Sequence, residues 1–155
     1  MQPSKPPIPL DSIVFGYGPM VPLAAAAVGA WALPQPWPSH AIGLAIIWGG
    51  LILTFVAGVR RGYGFGNAEA STLREIITMI VYFVPAGLAL VCGAMGLWLI
   101  ALVLLTIGYT LVIVLDRYGA AKHDIPIHFA RLRPTQMAIA VVALLAMIAR
   151  ILIHR

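Results

Sequence analysis

The residues of this 155-residue chain that could do chemistry are few: four histidines, one cysteine, five acids and ten bases. The densest group of ligand types is His123, Asp124 and His128. A protein metal site needs three or four nitrogen, oxygen or sulfur donors converging on one point, and here no third His or Cys stands nearby. An ordinary interfacial loop is the simpler reading, and no metal is expected. His40 and His154 also fall in predicted connectors or at the chain end, whereas a membrane haem takes histidines from facing helices. No cofactor is expected. Cys92 sits alone in an apolar stretch, which excludes an intramolecular disulfide and a CxxC redox motif.

Other patterns are equally sparse. There is no nucleophile elbow, no HExxH helix and no carboxylate pair placed for catalysis, so the chain is not expected to be an enzyme. Gly62-Tyr63-Gly64 matches part of a potassium-filter signature but follows Arg60 and Arg61, whose charge would repel cations. A flexible turn explains it better. Thr54, Thr106, Thr110, Tyr82 and Tyr109 could line a polar path, but a threonine can bond its own helix backbone and a tyrosine can pack with a wet tip. The basic clusters Arg60/Arg61 and Arg131/Arg133 suit anionic headgroups such as cardiolipin, or ion pairs with Asp116, Asp124 and Glu75. Arg60, Arg61, Asp116, Arg131 and Arg133 are therefore the candidate lipid or partner contacts.

What must position these groups follows from where charge is missing. Hydrophobic residues make up 61% of the chain and only 15 residues are charged, which excludes an ordinary water-exposed surface. Residues 12 to 59, 76 to 115 and 134 to 149 carry no Asp, Glu, Lys or Arg. A helix crossing the ~30 Å hydrocarbon layer needs about 20 apolar residues, so these gaps hold two spans, two spans and one. The expected fold is an all-α polytopic membrane protein: a proline-rich tail over residues 1–12 and a five-span domain over 13–155.

The expected spans are Ile13 to Leu33, Ala41 to Val59, Leu73 to Cys92, Leu97 to Leu115 and Thr135 to Ile153. Pro19 and Pro22 remove amide donors and predict a kinked, loosened or re-entrant start to the first. Pro34 to His40 reads as a proline-broken connector, with Trp31 and Trp37 at interface depth. Arg60 and Arg61 end the second span, and Thr72-Leu73-Arg74-Glu75 fits a capping box opening the third, which bends at Pro85. The short turn Gly93 to Gly96 makes spans three and four a helical hairpin, Pro134 opens the last span and Arg150 snorkels to the far interface. The pairs Ala25/Gly29, Ala26/Ala30, Ala45/Gly49 and Ala89/Gly93 have the spacing that lets helices approach closely.

Five crossings place Lys5, Arg60, Arg61, Arg74, Arg117, Lys122, Arg131 and Arg133 on one side and only Arg150 and Arg155 on the other. That asymmetry predicts a cytoplasmic N-terminus and a periplasmic C-terminus in a bacterial inner membrane. The net charge of +5 lacks the aromatic-interleaved stripe of a single-strand binder, so nucleic acid is not an expected partner. The first dozen residues match neither a signal peptide nor a transit sequence and are expected to be retained.

Two segments, Trp48 to Gly62 and Asp116 to Leu145, resemble domain of unknown function 3429, the bacterial and mitochondrial membrane family that includes transmembrane protein 69. Gly49, Leu53, Phe55, Gly58 and Gly62 fit one motif of that family, and Asp116, Pro126, Phe129, Leu132 and Arg133 the other. Thr54, Ala57, Arg61 and His128 depart from it. The resemblance implies the multi-span architecture and no particular activity. The functional expectation is a non-catalytic accessory subunit or assembly factor, packed against a larger respiratory or photosynthetic inner-membrane complex and bathed by anionic, cardiolipin-like lipid. The contrasting expectation is a small transporter or channel for a neutral solute.

Overall fold

A computed structural model describes the backbone of residues 14, 16–62, 72–121 and 127–154, and their side chains outside 72, 120–121 and 127–131. Every described element is helical. After a 3-10 turn at Gly18–Met20 come α1 (Val21–Ala32), α2 (Trp37–Gly62), α3 (Thr72–Ala94), α4 (Trp98–Ala121) and α5 (Ile127–Ile153). The N-terminal tail lies outside the described residues.

Four of these helices, α2 to α5, are long and apolar enough to cross a membrane. The stretch Gly18–Ala32 is shorter. At about 1.5 Å per residue, the 12 residues of α1 cover about 18 Å, less than the hydrocarbon thickness. The two prolines give the reason: Pro19 and Pro22 withhold amide donors, and the backbone tightens into the 3-10 turn between Tyr17 and Val21. The indole of Trp48 on α2 donates to the Pro19 carbonyl at 2.8 Å, satisfying an acceptor at this break.

The boundaries differ from expectation in one consistent way: helices run past the charge-free windows. α2 begins at Trp37, within the expected connector, because Pro38 in the first turn sits where no amide bond is needed. It ends at Gly62, so Arg60 and Arg61 lie inside its last turn instead of terminating the span. α4 continues through Asp116 to Ala121. α5 starts at Ile127, which places Arg133 and Pro134 inside the helix and not at its start. Three expected ends are thus interior positions carrying charge.

Antiparallel neighbours pack in sequence, α1 on α2, α2 on α3, α3 on α4 and α4 on α5. α5 returns to α1, and α2 reaches across to α4. The α3–α4 turn closes with Leu97 N–H on the Cys92 carbonyl at 2.8 Å and Gly96 N–H on Gly93 at 3.1 Å. Gly96 takes φ +76°, the left-handed conformation that ends a helix at no steric cost.

Close approach is made by missing side chains. A Cβ on Gly50 would stand 2.7 Å from Leu90, and one on Gly93 would stand 2.7 Å from Ile46, so α2 and α3 interlock at two levels. A Cβ on Gly108 would collide with Leu53, which sets the α2–α4 crossing. Of the small-residue pairs, Ala45, Gly49 and Ala89 lie on buried faces, while Ala25 is exposed. Inside the bundle Leu23, Leu53, Leu102, Leu105, Tyr109 and Leu144 are all fully buried.

Candidate functional site at the charged end of the bundle

The end of the bundle formed by the α2 C-terminus, the α3 N-terminus, the α4 C-terminus and the first turns of α5 gathers the buried charges. Asp116 continues the buried stripe Leu105, Tyr109, Val112 of α4, at spacings of four and three residues that keep one helix face. Its carboxylate accepts from the Tyr82 hydroxyl of α3 at 2.9 Å and from the Arg133 guanidinium of α5 at 2.6 Å. Asp116 and Arg133 are 1% and 5% exposed, so this is an ion pair withdrawn from solvent and lipid alike. Arg60, from α2, is equally buried and close enough to act electrostatically on Tyr82.

A second pair lies beside the first. Glu75, 2% exposed, has its carboxylate 3.8 Å from the half-buried Arg61 guanidinium. Among the described residues, neither Glu75 oxygen has a hydrogen-bond partner. The expected capping box is therefore not closed by Glu75: its carboxylate makes no return bond to the helix start but turns inward beside the arginines. Thr78, one turn further, donates to its own helix at the Arg74 carbonyl, 2.8 Å away. Gln136 of α5 is also buried and fills the space in which a Cβ on Gly16 would collide, so the chain before the 3-10 turn presses onto this end through a glycine.

Of the five candidate contact residues, Asp116 and Arg133 pair with each other and Arg60 lies close to their Tyr82 partner, while Arg61 pairs with Glu75 at the same end. Ion pairing, the alternative weighed for these clusters, is what the structure displays for Arg133–Asp116 and Arg61–Glu75. The Arg131 side chain lies outside the described residues, as do His123, Asp124 and the side chain of His128. Two members of the cluster were not singled out as site residues. Glu75 reads locally as a cap and Tyr82 as packing, yet Glu75, Thr78 and Tyr82 share one face of α3 at spacings of three and four. That stripe of polar groups leading into an apolar helix was the available signal.

Chemically, the arrangement is a clamp. A carboxylate holding two strong donors is fixed in place, and the desolvation of both charges is offset only while the pair stays intact. Among the described residues, no three His, Cys, Asp or Glu groups converge as a metal site. The other polar side chains serve the helices themselves: Thr106 and Thr110 donate to carbonyls one turn back at 2.8 Å, and Tyr109 donates to the Gly49 carbonyl of α2 at 2.9 Å. At the opposite end, Arg150 donates to the Ala30 carbonyl at 3.0 Å and lies 5.9 Å from the Trp31 ring. Trp31 in turn donates to the Ala146 carbonyl at 3.0 Å, tying α1 to α5.

Comparison with known proteins returns no match: no family model, no curated protein and no solved structure is recognisably similar to this chain.

Proposed function

We propose that this chain is a non-catalytic integral membrane protein, an accessory subunit or assembly factor that works by helix packing against a larger inner-membrane complex. The observation that carries the reading is the filled core: six large side chains from four helices are fully buried inside the bundle, which leaves little room for a solute path. The ionisable groups described above face one another, which suits a scaffold whose charges hold its own helices. Outside that core, α1 and α5 leave an open apolar groove lined mostly by alanines, Ala24, Ala27, Ala138, Ala143 and Ala146, together with Thr135, Ile139 and Val142. Alanine walls let another helix approach closely, and packing of this kind drives association in lipid, where no hydrophobic gain separates helix from tail.

In this reading the chain is a five-crossing protein with a cytoplasmic N-terminus. The charged end then faces the cytoplasm and the complex is respiratory or photosynthetic. A C-terminal reporter active only in the cytoplasm would overturn the orientation. The function is tested by mild-detergent purification, native sizing and mass spectrometry of wild type and of Ala138→Phe, which fills the groove without entering the core. A defined complex lost on Ala138→Phe is expected. A chain that elutes only as a monomer sinks the subunit reading.

A further inference from the structure

The end of the bundle opposite the charge cluster opens as a cleft of about 490 Å³ between the α2 N-terminus, the α3–α4 turn and the last turns of α5. One wall is apolar, with Ile42, Leu97, Trp98 and Ile151. The other carries Arg150, His154 and the Ser39 hydroxyl. We infer that this cleft binds an anionic phospholipid, with the phosphodiester on Arg150 and an acyl chain along the apolar wall.

Three observations carry the inference. The first is depth: Trp31, Trp37 and Trp98 all lie at this end of the bundle, where indoles settle at the headgroup level of a bilayer. The second is the state of Arg150. Its Nε is spent on the Ala30 carbonyl and its plane rests near Trp31, which is itself held by Ala146. The guanidinium is thus fixed, while its remaining N–H groups meet no acceptor among the described residues. A phosphate presents two oxygens to such a planar fork. The third is charge. The described carboxylates, Glu75 and Asp116, belong to the other end, so Arg150 has no protein counter-ion among the described residues. His154, one helical turn on and edge-on to Trp31 at 6.2 Å, adds a second donor group beside it. A free anion would leave the apolar wall uncovered, and a zwitterionic lipid would bring its own cation to Arg150.

The test is thermal melting of the full-length protein in a neutral detergent, titrated with dioleoylphosphatidylglycerol, dioleoylphosphatidylcholine or inorganic phosphate. Only the phosphatidylglycerol should raise the melting temperature saturably, and native mass spectrometry should show one retained lipid per chain. Arg150→Gln should weaken that effect about tenfold, the loss of one charge-assisted pair. Because Arg150 also ties α5 to α1, Ser39→Phe serves as a second variant: it fills the cleft, leaves the guanidinium in place and should abolish retention. Arg117→Gln removes an exposed charge at the other end and should leave binding unchanged. Equal stabilisation by phosphatidylcholine, full stabilisation by phosphate alone, wild-type retention by Ser39→Phe, or an equal loss on Arg117→Gln would each overturn the assignment.

Discussion

The two ends of this bundle solve the same problem by different means. Helices must be held in register at the ends of the bundle, and at one end this is done by buried charge: Asp116 draws Tyr82 and Arg133 together, and Arg61 pairs with Glu75. At the other, side chains reach neutral backbone carbonyls, Arg150 to Ala30 and Trp31 to Ala146. The charged end ties α3, α4 and α5 through a single carboxylate, so its members stand or fall together. The carbonyl-bonded end ties α1 to α5 through two separate hydrogen bonds, with Arg150 against the Trp31 ring, and leaves a cleft beside them. Buried ion pairs give little net stability but make every mismatched arrangement expensive, whereas contacts to carbonyls already bonded within a helix add small, separable increments.

That contrast can be broken most directly at Asp116. Asp116→Leu leaves Arg133 and the Tyr82 hydroxyl buried without their acceptor and should destabilise the protein by about 3–5 kcal/mol, measured by unfolding in mixed detergent micelles. The paired change Asp116→Leu with Arg133→Met should recover most of that loss. A double variant no better than the single would mean that the pair is not the clamp described. Gly108→Ala, which thrusts a methyl into fully buried Leu53, should cost about 1–3 kcal/mol by the same measurement, and a neutral result would show that the α2–α4 crossing is loose. Tyr82→Phe removes one donor to a carboxylate that keeps Arg133 and should cost about 1.5–3 kcal/mol. Trp31→Phe, at the opposite end, should cost only about 0.5–1.5 kcal/mol and raise hydrogen exchange in α1 without affecting α3. If Trp31→Phe cost as much as Asp116→Leu, the two ends would not differ as described.

Much of the helical layout was legible because a membrane-length run without charge has few other uses. The turn at Gly93 to Gly96 and the break near Pro19 were also legible, since glycine at positive φ and proline without an amide act locally. The helix ends were not. Arg60, Asp116 and Arg133 read as boundary markers because a single charge in an apolar layer is costly, and that cost disappears only when its partner is known. Their partners come from other helices: Tyr82 lies 34 residues from Asp116 and Arg133 lies 17. Glu75 read both as a cap and as an ion-pair partner, since the two place the same residue type at the same helix position, and only its distance to Arg61 decides between them. The alanine pairs were visible, but which of them face the core and which line the α1–α5 groove depends on helix rotation.

The sequence by itself determined that the chain is helical, with runs long and apolar enough to cross a membrane and, among the described residues, with its charges biased to one end, because the free energy of placing charge and backbone in hydrocarbon is set residue by residue. Only the tertiary structure decided what those charges do. Whether Asp116 marks the edge of a span or anchors its interior depends on Arg133 and Tyr82 arriving within hydrogen-bonding reach. Electrostatic energy in a low-dielectric interior depends on such distances between helices, which no local pattern specifies.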